Sequence, residues 1–315
     1  MTPADSPRLV HAAAIYGSDE AFLAMVVPFL RAGVGAGEPT LLRVEPHRRQ
    51  LVRNAIGDPS GLTMLPEDGW GDHPILALGH NDGLFRRHLD DGAGRVRILT
   101  DVPIAGPGAS WSGWARYEAV MNHVFGQLPL LAVCPYDTRS SPAEVLDDVE
   151  RTHRWLLTAD GADQAANPRF VEPDAFLAER DGVEVDPLEL DRPDLELADP
   201  TPSAGRAAVA ALARTTALDR ETAENLVFAA SEIVTNAVVH GRPPVVLRAW
   251  GALDRIVVAV TDHGPGPADP FSGYLRDAGG ALGLWLARQL CSRVTMVRQP
   301  AAFTVRIVAG TPSPA

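Results

Sequence analysis

The chain has 315 residues, 46% of them hydrophobic, with 40 acidic against 28 basic side chains and a net charge of −12. This length predicts two domains, and this composition an ordinary globular core. The acidic balance argues against nucleic acid as a direct partner, and no apolar run approaches the length of a membrane span. The start, Met1-Thr2-Pro3-Ala4-Asp5, lacks a charged segment followed by an apolar one, so a cytoplasmic protein is expected. All 28 basic residues are Arg, which excludes mechanisms built on a P-loop or catalytic lysine. Cys134 and Cys291 stand in apolar segments of different domains and read as buried small hydrophobes rather than a disulfide or a metal site.

From Val10 to about Trp155 strand and helix patterns alternate. Residues 11–16 form a short apolar strand, and Gly17-Ser18-Asp19 a turn and N-cap. Residues 20–32 are helical, with Phe22, Leu23, Val26, Val27, Phe29 and Leu30 inward and a kink expected at Pro28. A strand at 40–44, helices at 48–56 and 75–89, and a strand at 96–101 follow. Next come Trp111 to Trp114 as a loop that lines a pocket or caps the core, a helix at 114–125, a strand at 128–136 and a last helix at 143–157. Such alternation predicts an α/β domain, residues 1–158, with a mostly parallel sheet covered on both faces. Its carboxyl edge would place His11, Tyr16, Asp101, Tyr136 and Asp137 where a small-molecule signal could bind.

His11-Ala12-Ala13-Ala14-Ile15-Tyr16, Pro28-Phe29-Leu30 with Gly33, Gly37-Glu38-Pro39, Cys134-Pro135-Tyr136-Asp137 and His153 resemble the MEDS sensory domain of methanogen and methylotroph regulators. The resemblance implies a RecA/KaiC-like fold and a sensing role. At the first strand–helix turn, however, Gly17-Ser18-Asp19-Glu20 offers no Lys and two acids, so this domain is expected to lack NTPase activity.

Between Asp160 and Asp199 stand thirteen acids against three arginines, with several prolines. Residues 159–202 read as an acidic, Pro-rich linker, extended by self-repulsion apart from one short helix. The third segment, 203–315, begins with a helix capped by Ser203, followed by a long helix capped by Asp219. In the latter Leu226, Val227, Ala230, Ile233, Val234, Ala237 and Val238 recur at helical spacing, and Gly241 with Pro243-Pro244 stops it. Glu232 and Asn236 share one side, about 6 Å apart along the axis. Strands at 245–250, 256–262, 294–298 and 303–308 complete an α+β domain with a mixed sheet and helices on one face.

The order Glu232-x-x-x-Asn236-Ala237-x-x-His240, then Asp262-x-Gly264-x-Gly266, then Gly280-x-x-Gly283-Leu284 resembles the Bergerat-type ATP-binding sandwich of histidine kinases, gyrase-type ATPases and anti-sigma-factor serine kinases. The residue types suit that chemistry. Asp262 at a buried strand tip can accept from an adenine amine, and Gly264 and Gly266 let backbone approach the base. Asn236 offers a neutral oxygen to Mg²⁺, and Glu232 can accept a proton or orient a hydroxyl towards a γ-phosphate. Gly280 and Gly283 place amides against phosphate oxygens. The resemblance also assigns Leu284 and Thr304 to the nucleotide site, although Phe303 stands where relatives carry Gly before that Thr. His240 is either a phosphate contact or a cap of its helix.

The short segment from Gly266 to Gly279, and the lack of any His between His153 and His240, resemble the anti-sigma serine kinases. That likeness implies ATP and Mg²⁺ as cofactors, a STAS-type antagonist protein and a sigma factor as partners, and a homodimer as a possibility. The expected function is a sensory regulator that phosphorylates Ser or Thr on the antagonist. The alternatives are a non-catalytic, nucleotide-dependent partner-binding switch and an atypical histidine kinase using His153.

Overall fold

The computed structural model describes residues 9–66, 73–104, 111–181, 185–275 and 282–310, and the chain divides into two compact units, Met1–Phe176 and Leu177–Ala315. The first contains β1 (Leu9–Tyr16), α1 (Asp19–Gly35), β2 (Thr40–Arg43), α2 (Pro46–Ile56), β3 (Leu62–Met64) and α3 (Pro74–Asp90). It continues with β4 (Val96–Thr100), α4 (Trp111–Val124), β5 (Leu130–Asp137), α5 (Ala143–Thr152), β6 (Trp155–Leu157) and β7 (Gln164–Ala166). The sheet order is β3-β2-β4-β5-β1-β6-β7, parallel except where β6 meets β7. Val10, Ala12, Ala14 and Tyr16 of β1 pack with Phe22, Val26, Phe29 and Leu30 of α1, whereas His11 faces Glu118 of α4. Alternate residues of the central strand thus serve two helical layers, as a parallel sheet buried on both sides requires.

Several boundaries differ from the sequence expectation. α1 runs on past Pro28, which is exposed, so the carbonyl it leaves unpaired lies near exposed Ala24 and water. Trp111 to Trp114 form the first turn of α4, with Trp111 Nε1 donating to Asp148 Oδ2 at 2.8 Å. The helix expected to reach residue 157 ends at Thr152. His153 turns extended (φ −103, ψ 117), and residues 155–157 form β6, in which Trp155 and Leu156 pair with β1.

The second unit holds a short 3-10 helix (Pro187–Leu190), β8 (Leu195–Ala198), α7 (Pro202–Ala213), α8 (Arg220–His240), β9 (Val246–Ala252), β10 (Arg255–Asp262), α9 (Leu282–Leu290), β11 (Arg293–Gln299) and β12 (Ala302–Gly310). A further helix, α6 (Pro173–Asp181), precedes it across the boundary between the units. Its sheet, β11-β12-β10-β9-β8, pairs antiparallel at every step rather than being mixed. One face packs on the helices through Leu247, Ile256, Val258, Val260, Val305 and Ile307. Thr201, not Ser203, caps α7 by accepting from Ala204 N at 3.2 Å.

The acidic stretch expected to be a solvated spacer is largely built into folded elements. β8 pairs with β9, and Trp250 Nε1 donates to the Asp191 carbonyl at 3.0 Å. Asp186, with a fully buried side chain, faces Arg293 at 3.2 Å and Arg255 at 3.5 Å, while Glu189 meets Arg306 at 2.6 Å. Arginines on the sheet face opposite the helices thus compensate acids that composition alone assigns to water.

Candidate nucleotide site

α8 is the spine of the site. Asp219 accepts from Thr222 N at 2.8 Å to start it, and Leu226, Ala229, Ala230, Ile233, Val234 and Ala237 fix its buried face. Val238, expected on that face, is exposed. Glu232 and Asn236 remain half-buried on the flank that meets α9. A Cβ on Gly283, in the first turn of α9, would lie 2.8 Å from Glu232 Oε2 and 3.4 Å from Asn236 Nδ2. Glycine there lets the start of α9 approach the acid and the carboxamide together.

At the far end of α8, Asp262 closes β10 and is 5% exposed. Its Oδ1 accepts from Gly264 N at 2.6 Å and Arg242 N at 3.3 Å, and among the described residues no hydrogen bond reaches Oδ2. A buried carboxylate oriented on one oxygen and open on the other suits a donor brought by a ligand. Gly241 packs so closely that an added Cβ would be 2.4 Å from Asp262 Cγ, and one on Gly264 would be 2.7 Å from Oδ1. Gly266 adopts φ +69 against the Phe303 ring, a conformation that disfavours side chains. Eight residues of α8 lie between Glu232 and Gly241, a rise of about 13 Å along the axis, with Asn236 among them.

The remaining expected site residues are dispersed. Thr304 hydrogen-bonds Thr261 at 2.8 Å on the sheet face away from the helices, and Phe303 is the residue opposite Asp262. Leu284 joins the core and lies under Gly273. His240 is exposed as the last residue of α8, and Gly280 falls outside the described residues. Gly241 and Phe303 were not expected as site residues, yet strand alternation alone would place Phe303 beside Asp262 once the β10–β12 register is known. A separate cavity of about 300 Å³, lined by Arg242, His263, Gly264, Pro265, Arg298 and Gln299 among others, is reached by none of Glu232, Asn236, Asp262 or Gly283.

In the first unit the expected edge site splits. Tyr16, Asp101 and Asp137 stand at strand ends, where Arg48 meets Asp101 at 2.6 Å and Arg139 meets Asp137 at 2.6 Å. Burial pushes the Tyr16 phenol up to about 12, with Arg48 partly opposing it, and burial likewise raises the Asp101 carboxyl. His11 and Tyr136 point into the interior, both to Glu118.

The model of the MEDS family (methanogen/methylotroph, DcmR sensory domain) matches residues 10–154, and that of the histidine kinase-like ATPase domain matches residues 198–309. Among solved structures, the histidine kinase domain of a blue-light activated histidine kinase from Erythrobacter litoralis is similar, at 23% identity and a TM-score of 0.26. The match covers 36% of this chain and 65% of that one. No curated protein matches the chain. The chain is therefore a MEDS domain joined to a histidine kinase-like ATPase domain.

Proposed function

We propose that the C-terminal domain binds Mg-ATP and transfers its γ-phosphate to a Ser or Thr of a small STAS-type antagonist, holding a sigma factor when the antagonist is absent. The observation that carries this reading is the convergence of Glu232, Asn236 and Gly283 at one end of α8 and of Asp262, Gly241 and Gly264 at the other. Asp262 would take the adenine amine on Oδ2, Asn236 would hold Mg²⁺, which neutralises phosphate charge, and Glu232 would take the proton of the attacking hydroxyl. The short loop before α9 supports the serine-kinase branch. His153 speaks against the histidine-kinase reading, because its side chain is fully buried and its Nδ1 is bonded to the Val149 carbonyl at 2.8 Å.

The N-terminal domain would supply the signal from the Tyr16, Asp101 and Asp137 edge. Its strand order, with β7 alone antiparallel among the described strands, supports a RecA/KaiC-like reading. Among the described residues no helix is long and apolar enough to cross a membrane, which accords with a role in the cytoplasm.

The test is incubation of the full chain with [γ-³²P]ATP, Mg²⁺ and candidate STAS-type proteins. Label on the antagonist that survives acid and is lost in base supports transfer to Ser or Thr, and Glu232→Ala should retain ATP but lose transfer. Bound ATP with no transfer to any candidate would replace this reading with a non-catalytic switch, which Phe303 in place of the family's glycine favours.

A further inference from the structure

His11 of β1, Glu118 of α4, Cys134 of β5 and His153, just beyond α5, are all buried, and one donor atom from each lies within 4.8 Å of every other. His11 Nε2 is 2.9 Å from Glu118 Oε2, and His153 Nε2 is 3.4 Å from the same oxygen. Cys134 Sγ is 3.6 Å from His11 Nε2 and 3.9 Å from Glu118 Oε2. Donors around a tetrahedral ion, bound at about 2.0 Å to nitrogen or oxygen and about 2.3 Å to sulfur, sit roughly 3.3 to 3.6 Å apart. All four of these separations fall within about half an ångström of that range.

The outward atoms of the same side chains are tied down. His153 Nδ1 donates to the Val149 carbonyl at 2.8 Å, and its Nε2 is buried without a hydrogen bond, aimed at Glu118. His11 Nδ1 lies 3.3 Å from Asn122 Oδ1. Asn122 Nδ2 donates to the carbonyls of Glu118, Ala119 and Thr152, so its oxygen faces His11 Nδ1 and can accept from it. Glu118 Oε1 accepts from the Tyr136 hydroxyl at 2.8 Å, leaving Oε2 inward. Both imidazoles therefore present Nε2, and the carboxylate presents one oxygen, to a single point. Metal-binding histidines and carboxylates are oriented in this way by their outer partners.

We propose that His11, Glu118, Cys134 and His153 bind one divalent first-row metal ion, zinc being best suited to a mixed nitrogen, oxygen and sulfur set. Two neutral imidazoles, one carboxylate and one thiolate balance a 2+ ion, so the loaded site is buried with no net charge. On binding, the Cys134 S–H bond breaks, its proton leaves to solvent, and the sulfur electron pair forms the metal bond. Burial pushes His153 down to about 3, and burial also pushes the Cys134 thiol well up. With four protein donors the site is closed to substrate, and its occupancy pins α4 and the end of α5 to the two central strands.

Metal content of the full chain, purified from zinc-supplemented cells, should be one ion per chain. After removal by chelator, refolding from urea with Co²⁺ present should give one equivalent with a near-ultraviolet thiolate-to-cobalt band. Refolding in the presence of the ion ensures that slow entry to a buried site is not mistaken for its absence. Cys134→Ser should lose the band while Cys291→Ala keeps it, and His153→Gln should weaken Co²⁺ at least about 100-fold. Absence of zinc from the purified chain together with no saturable cobalt band in the parent, or a band that follows Cys291, would overturn the proposal. The cluster would then be a hydrogen-bonded core only. Neither readout depends on ATP, so the outcome is separate from that of the kinase reading.

Discussion

At Gly241 the backbone angles (φ −82, ψ −162) are open to any residue, so the demand for glycine is one of space. A methyl group there would press on Asp262 and on the Ala237 carbonyl, both at 2.4 Å. Gly241→Ala is expected to cost about 1–3 kcal/mol of stability and to weaken ATP at least tenfold by displacing the carboxylate. Calorimetric titration finding an affinity within twofold of the parent would remove Gly241 from the site. Asp262→Asn is milder in shape, because the amide oxygen can still accept from Gly264, but it points a donor at the base. Its expected result is ATP binding weakened beyond about 100-fold with an almost unchanged urea midpoint. Glu232, Asn236 and Asp262 stand out in the sequence as candidates because polar groups at fixed spacing in apolar elements are conspicuous. Gly241 was legible only as a helix stop, since a close approach between elements distant in sequence leaves no local pattern. Cys134 is buried and free, as its apolar segment implies, while the closeness of His11, Glu118 and His153 to it leaves no local pattern because they come from three other elements.

Among elements, those with strong periodicity and caps, such as α8 with Asp219 and its apolar stripe, were readable in advance. α5 was overrun because Trp155 and Leu156 are recruited by the edge of β1, a tertiary effect that helical periodicity does not contain. The acidic stretch was misread because composition does not reveal that Arg255, Arg293 and Arg306 wait on the sheet. Asp186 provides the test. Asp186→Ala removes the buried carboxylate that two partly buried arginines face and should destabilise the second unit by about 3 kcal/mol, while Asp186→Asn should cost less. Urea unfolding of the full chain reads both, and an alanine variant as stable as the parent would mean that the 3-10 segment is only laid against the sheet. Thr201→Ala, which removes the cap of α7, should cost about 1 kcal/mol in the same measurement.

For the molecule as a whole, the division into two units predicts two unfolding transitions that respond to different ligands. Mg-ATP at a hundred times its dissociation constant should stabilise the ATPase transition by about 2.7 kcal/mol and leave the MEDS transition in place. Scanning calorimetry of the parent and of Asp262→Asn separates the two, and a shift that persists in the variant would place the nucleotide elsewhere. The two-domain plan was readable from length and from motif order, whereas the boundary was not, since the segment between the domains serves the second sheet. Its strand β8 lies at the rim of that sheet, four residues long, with Pro193 and Pro200 on either side and Glu196 paired to Arg248 at 2.9 Å. A rim this short, charged and closed at both ends by residues without an amide hydrogen gives an incoming chain nothing to zip onto, so the protein carries its own guard against fibre growth from that side.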